Sequence, residues 1–379
     1  MLDYEIIRLI WWALIGVLFI GFAVTDGFDM GVGALLPILG HDDIERRVMI
    51  NTVAPHWDGN QVWLITGAGA LFAAWPMVYA VAFSGFYLAM MFVLFALYLR
   101  PVGFDYRSKI QDPRWRTTWD WALFIGGVVP PLIIGVAFGN LLQGVPFTLD
   151  EYLRANYHGS FWQLLNPFGL LAGLVCVSMF VMQGATWLQM KTEAHLRAKA
   201  AIASQISSVV FLLCFGAAGI WLILGIDGYV VQSGLSPTGV SDPRVKQVAI
   251  EAGAWLINYE RYPLSLMLPI LGLMFPIIVL LCSRFNRSGW AFFSSSITIS
   301  MVILTCGAAM FPFVMPSSLS PNMSLTMWDA TASQKTLTIM TIAAGILVPI
   351  ILSYTIWTYM KMFGRLTRKH IEEKQASLY

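Results

Sequence analysis

The chain has 379 residues, of which 58% are apolar and 12% charged, with a formal net charge of +2 and a mean hydropathy of +0.69. The charged share is about half that of soluble domains, and no polar stretch is long enough to fold as a soluble domain beside the apolar ones. The small net charge argues against a nucleic-acid partner, so the composition describes one polytopic membrane domain over residues 1–379.

Windows of about 20 apolar residues predict an all-α integral membrane protein with nine transmembrane helices. They lie near 8–39, 49–75, 78–100, 118–143, 160–190, 202–225, 263–284, 289–313 and 336–361. The N-terminal segment Met1-Leu2-Asp3-Tyr4-Glu5 has neither a basic region nor an Ala-x-Ala cleavage site, so the first helix reads as retained rather than as a signal peptide. Nine crossings put the termini on opposite sides. With the N-terminus outside, 17 of the 23 basic residues fall on inner segments, from Arg46 and Arg47 through Arg100–Arg116 to Lys374, and six on outer ones. The positive-inside rule therefore places the N-terminus in the periplasm and the C-terminus in the cytoplasm.

The first helix contains Thr25-Asp26-Gly27-Phe28-Asp29-Met30, and the second Pro55-His56-Trp57-Asp58-Gly59-Asn60-Gln61-Val62-Trp63. A carboxyl at membrane depth costs a few kcal/mol or more and rarely lacks a partner or a task. Asp26 and Asp29 share a helix face by their i, i+3 spacing. At 1.5 Å per residue, Asp29 and Asp58 each lie roughly 15 Å from the inner surface, so Asp26, Asp29 and Asp58 are expected to converge on one level. Hydrocarbon favours the neutral form of an acid, which suits an intramembrane proton relay. The competing reading is a packing cluster locked by Asn60, Gln61 and the tryptophans.

His56 is the only histidine predicted within a span. A low-spin haem needs two axial ligands, commonly His–His or His–Met, and one spanning histidine among 19 methionines reads more simply as packing. Arg100-Pro101-Val102-Gly103-Phe104-Asp105-Tyr106-Arg107 closes the third helix. There Arg100 is either the counter-charge of Asp105 or of a buried acid, or an interfacial anchor. Gly139-Asn140-Leu141-Leu142-Gln143-Gly144 ends the fourth helix and is expected to cap it. Asp329, with Thr331 and Ser333, is expected to cap the last one. Cys176, Cys214, Cys282 and Cys306 fall in apolar runs without a metal or redox spacing. No phosphate loop or nucleophile elbow is present, and no residue is assigned to catalysis or to a metal.

These motifs, in this order, resemble subunit II of the cytochrome bd quinol oxidases. Thr25–Gly31, Pro55–Trp63, Arg100–Arg107, Gly139–Phe147, Phe311–Ser318 and Trp328–Thr331 carry the likeness, which runs essentially the whole chain. The resemblance implies two four-helix bundles plus one peripheral helix, in a bacterial inner membrane. It implies an obligate partner, subunit I, that supplies the ligands of two haems b and one haem d. Further expected partners are a small single-helix accessory subunit, quinol and dioxygen. A ubiquinone or menaquinone is expected as cofactor, one copy structural in a lateral groove. The implied function is support of four-electron reduction of O2 to water, with a proton gradient generated without pumping. Asp58, Asp26 and Trp63, with Asp29 and Asp105, are then the expected proton path, supported by His56, Asn60, Gln61 and Arg100. The competing classes are a stand-alone proton-coupled transporter, with breaks at Gly27 and Pro55, and a purely structural assembly subunit.

Overall fold

A computed structural model describes residues 3–373 and Tyr379. Met1, Leu2 and the inner basic residue Lys374 lie outside the described residues. The chain opens with α1 (Tyr4–Leu39), α2 (Asp43–Val53), α3 (Trp57–Ala74), α4 (Pro76–Gly85), α5 (Tyr87–Tyr106) and α6 (Pro113–Gln143). A hairpin of β1 (Phe147–Leu149) and β2 (Ala155–Tyr157) leads to α7 (Phe161–Leu164), α8 (Pro167–Lys191) and α9 (Ala194–Gly225). Then come β3 (Asp227–Ser233), β4 (Gln247–Ala252), α10 (Ile257–Arg261), α11 (Met267–Arg284) and α12 (Ser288–Met310). β5 (Phe313–Met315), β6 (Leu325–Thr326), α13 (Gln334–Lys361) and α14 (Arg368–Glu373) complete the order. The strands form three separate two-stranded antiparallel hairpins in the loops.

Eight helices among the described residues are long and apolar enough to cross a membrane: α1, α5, α6, α8, α9, the Pro263–Arg284 stretch that ends in α11, α12 and α13. The expected second span, 49–75, is not one continuous helix. The chain turns at 54–56, where Pro55 lacks an amide hydrogen and its ring crowds the preceding turn. It restarts as the 18-residue α3, whose first turn carries Asp58, Asn60 and Gln61. The third span likewise begins as α4 and resumes after Phe86 as α5. Pro167 sets a fresh helix start inside the expected 160–190.

The centre of the molecule is built by small residues. α1, α6 and α8 pack mutually, with α3 and α5 on one side and α9, α11 and α12 on the other. A Cβ on Gly31 would come 2.9 Å from Gly184 Cα and would also strike the Phe180 carbonyl. Gly127 of α6 lies against the backbone of α1 between Met30 and Ala34. Such close backbone approach is how membrane helices gain dispersion and weak hydrogen bonding where lipid offers no hydrophobic drive. By contrast, none of the apolar window of α13 is buried within the chain.

Ion pairs tie the ends together. At one end Asp120, 1% exposed, receives Arg46 at 2.6 Å and Arg107 at 2.5 Å, and Asp43 receives Arg107 at 3.0 Å and Arg116 at 2.6 Å. At the other, Lys246 reaches Asp329 at 2.7 Å with both side chains buried. Burial pushes the Lys246 ammonium below its ordinary value, and Asp329 offsets only part of that. Asp329 also accepts the Thr326 amide at 2.9 Å, so it does not cap the last helix. Ser333 does, accepting the Thr336 amide at 3.3 Å, while Thr331 accepts from Arg8 at 2.9 Å. The Gly139–Gly144 stretch does cap its helix, through Gly144, whose positive φ of 87° turns its amide onto the Leu141 carbonyl, while Asn140 gives its amide to the Val136 and Leu164 carbonyls, joining α6 to α7.

Candidate functional site

Two carboxyls, a guanidinium, an amide and a phenol meet in the interior. Asp26 and Asp29 project from one face of α1, Arg100 comes from α5, Asn60 from the first turns of α3, and Tyr359 from α13. Arg100 grips Asp26 with both terminal nitrogens, Nη1 to Oδ2 at 3.0 Å and Nη2 to Oδ1. Its Nη2 is 3.8 Å from Asp29 Oδ2. Gly126 of α6 makes room for the arginine stem, since a Cβ there would lie 2.8 Å from Arg100 Cγ. Asn60 donates its amide to Asp29 Oδ2 at 2.8 Å and accepts the Tyr359 hydroxyl at 2.5 Å on its carbonyl. Asp29 Oδ1 is buried with no hydrogen-bond partner. Asp26, Asp29, Arg100 and Asn60 are all at most 2% exposed.

The expected convergence of three acids holds for level and fails for facing. α3 runs antiparallel to α1, with Trp63 over Gly21, Gly67 beside Phe19, and Asn60 bonded to Asp29. That register sets Asp58 level with the lower acids. Its side chain, however, lies on the exposed face of α3 with Val62, Ile65 and Gly69, away from Asp26 and Asp29. Asn60, two residues on, takes the inward position. Asp105 is also exposed, and Arg100 chooses Asp26 in its place. Gln61 is half-buried on α3.

His56 lies buried in the turn before α3, its ring stacked on Tyr359 with centroids 4.3 Å apart and planes 5° apart, and edge-on to Trp187. Among the described residues no three His, Cys, Asp or Glu side chains are grouped to hold a metal ion. The stack on Tyr359 and the edge contact with Trp187 seat His56 among aromatic side chains. Tyr359 and Asp120 are the contributors that sequence reading passed over. The only signals were a tyrosine set in an apolar helix and an acid just inside the predicted span 118–143.

These elements and contacts define a polytopic α-helical membrane protein that holds an ionic cluster in its interior. Comparison with known proteins takes the assignment further. Residues 7–362 match the family described as cytochrome bd terminal oxidase subunit II, and the chain belongs to it. It is 62% identical, over the full length of both chains, to cytochrome bd-I ubiquinol oxidase subunit 2 of Escherichia coli strain K12. It is 56% identical to the probable cytochrome oxidase subunit 2 of Haemophilus influenzae, again over all of both chains. To the cytochrome bd ubiquinol oxidase subunit 2 of Bacillus subtilis it is 32% identical over 98% of each. The fold is similar to a chain of the bd oxidase from Geobacillus thermodenitrificans, with a TM-score of 0.68 at 14% identity, covering 95% of this chain and 99% of that one. Membership makes the chain a multi-pass membrane subunit of an oxidoreductase of electron transport and implies a partner subunit I.

Proposed function

We propose that this chain is the second subunit of a quinol oxidase that reduces O2 to water in a bacterial inner membrane, and that it conducts protons from the cytoplasm. Subunit I would supply the ligands of two haems b and a haem d, and the quinol site for ubiquinone or menaquinone. A small accessory subunit is compatible with the exposed apolar flanks. In this reading the chain crosses nine times as a single polytopic domain, α3 being the ninth crossing, with the N-terminus periplasmic. The packing supports a bundle of α1, α3, α4–α5 and α6 beside one of α8, α9, α11 and α12, with α13 peripheral. The gradient arises without pumping, because the consumed protons come from one side.

The observation that carries the proton role is the cluster itself. Two carboxyls against one guanidinium leave place for one proton in a neutral cluster, and an isolated buried charge would be costly. Asp29 has one oxygen bonded and one free in the interior, an acceptor with no fixed donor. Asp58 faces outward at the same level, where protons would arrive along a seam with subunit I. The path then runs from Asp58, past Trp63, to Asp26 and Asp29, with Asn60, Gln61, Arg100 and His56 holding geometry and Asp105 near the entrance.

The test is Asp58→Asn in the assembled complex. Proton delivery through this residue predicts quinol oxidation lowered about a hundredfold or more, the loss typical of a missing proton-transfer group, with haem content and co-purification unchanged. Unchanged turnover would leave the chain a structural subunit. A lone colourless chain on purification would favour the transporter.

A further inference from the structure

A cavity of about 570 Å³ opens between the start of α9, the turn from α11 to α12 and the segment after α13. Arg197, Arg287 and Arg365 line it, one from each of these places, and no acidic side chain does. Their neutralisation is incomplete. Arg197 gives Nη2 to the Asn286 carbonyl at 3.1 Å, and Arg365 gives Nε to the Met190 carbonyl at 3.4 Å. The Nε of Arg197 is buried without any hydrogen-bond partner. The cavity also holds the first residues of α12, Ser288 and Gly289, and no side chain caps that helix. Its first amides therefore point free donors and the positive end of a 23-residue helix into the same space.

Three guanidinium groups with no acidic side chain in the lining, set around free helix amides, form a receptor for a phosphate-type anion, since guanidinium forks match phosphate oxygens in pairs. The wall beside them is of another kind. Trp290 and Phe293, 65% and 54% exposed, line the cavity and present apolar surface at its edge. A free anion has no use for that wall, whereas a molecule with a phosphate head and acyl chains uses both. Helix ends with basic pockets beside interfacial aromatics are where a bilayer presents such heads.

We infer that this cavity is a binding site for the headgroup of an anionic phospholipid, its phosphate held by Arg197, Arg287 and Arg365 and its chains laid on Trp290 and Phe293. The site shares no residue with the Asp26–Arg100 cluster and stands whether or not that cluster conducts protons.

The experiment titrates the delipidated complex, purified with its partner subunit, by native mass spectrometry. Three probes are used: short-chain phosphatidylglycerol, short-chain phosphatidylcholine and inorganic phosphate. Phosphatidylglycerol should bind at least tenfold more tightly than phosphatidylcholine. Arg197→Gln with Arg287→Gln should erase that preference. Lys361→Gln, which changes a basic residue outside the cavity, should preserve it. Arg287→Gln alone alters an exposed side chain and should lose part of the preference, which keeps the test decisive if the double variant fails to assemble. Equal binding of the two lipids, or a preference that survives in the arginine variants, overturns the site. Inorganic phosphate displacing phosphatidylglycerol at equal concentration would make it a free-anion site and overturn the lipid assignment.

Discussion

Asp26 and Arg100 are each other's condition for being in the membrane. Removing one partner of a buried pair leaves the other charge uncompensated, at about 3–5 kcal/mol. Asp26→Asn should therefore lower stability by an amount of that order, read as a drop in the thermal midpoint of the purified complex. Replacing both, Asp26→Asn with Arg100→Met, should cost less than Asp26→Asn alone. A double variant worse than the single would mean that Arg100 is held by Asp29 or another group instead. The acids, Arg100 and the polar run around Asp58 stand out in the sequence because charge amid apolar residues is conspicuous. Which way each points was not legible there. Whether Asp58 or Asn60 faces α1 depends on the rotation of α3, which the Pro55 turn and the seating of Trp63 over Gly21 settle together. Tyr359 enters from 299 residues away, a pairing no local pattern encodes.

At the scale of elements, the contact of α1 with α8 rests on two glycines facing each other. Gly31→Val would insert three carbons where even one comes 2.9 Å from a neighbouring backbone atom. Overpacking of this kind costs about 1–3 kcal/mol when side chains can yield, and here backbone must move. The variant should assemble poorly, measured as the yield of complex with partner, whereas Gly69→Val on the exposed face of α3 should leave this intramolecular packing intact. A second link joins α2 to α9. Burial alone would push the Glu45 carboxyl up, but the His41 amide and the Lys199 ammonium, each at 3.0 Å, hold it below its ordinary value. A carboxyl lowered on folding stabilises fully above the ordinary glutamate value of about 4.3, and that contribution disappears as pH falls through the lower folded value. Wild type should thus be more stable than Glu45→Gln near neutrality, with the gap in thermal midpoint closing in acid. A gap independent of pH would assign the effect to packing. The helix ends at Gln143 and Gly225, marked by glycine, fell where they were expected, whereas the starts at Pro113 and Pro167 lie several residues from the expected 118 and 160. Boundaries were also misread at residues 54–56 and 86, where an apolar run continues through a break.

For the whole molecule, the distribution of basic residues predicts an orientation that labelling can check. In a background lacking Cys176, Cys214, Cys282 and Cys306, a cysteine at Gln111 should react only from the cytoplasm and one at Val240 only from the periplasm. Nine crossings also require the turns at residue 75 and at residues 40–42 to lie on opposite sides. Labelling of both from one side would reduce the count to eight. The hairpin loops escaped prediction because two- and three-residue strands carry no period of their own. The Arg8 bonds join segments hundreds of residues apart in sequence, and the Lys246–Asp329 pair likewise links loops that no local pattern connects.

The interior cluster also dictates an order of manufacture. Asp26 emerges from the ribosome 74 residues ahead of the arginine that neutralises it, and Asn60 waits through 299 more residues for the hydroxyl of Tyr359. During synthesis the first helix must enter or linger at the membrane carrying acids without a counter-charge, and the pocket stays open until the final span arrives. A ribosome halted after α12 would thus present a nearly complete protein with its polar heart unroofed, and α13, which buries so little of itself, is the lid added last.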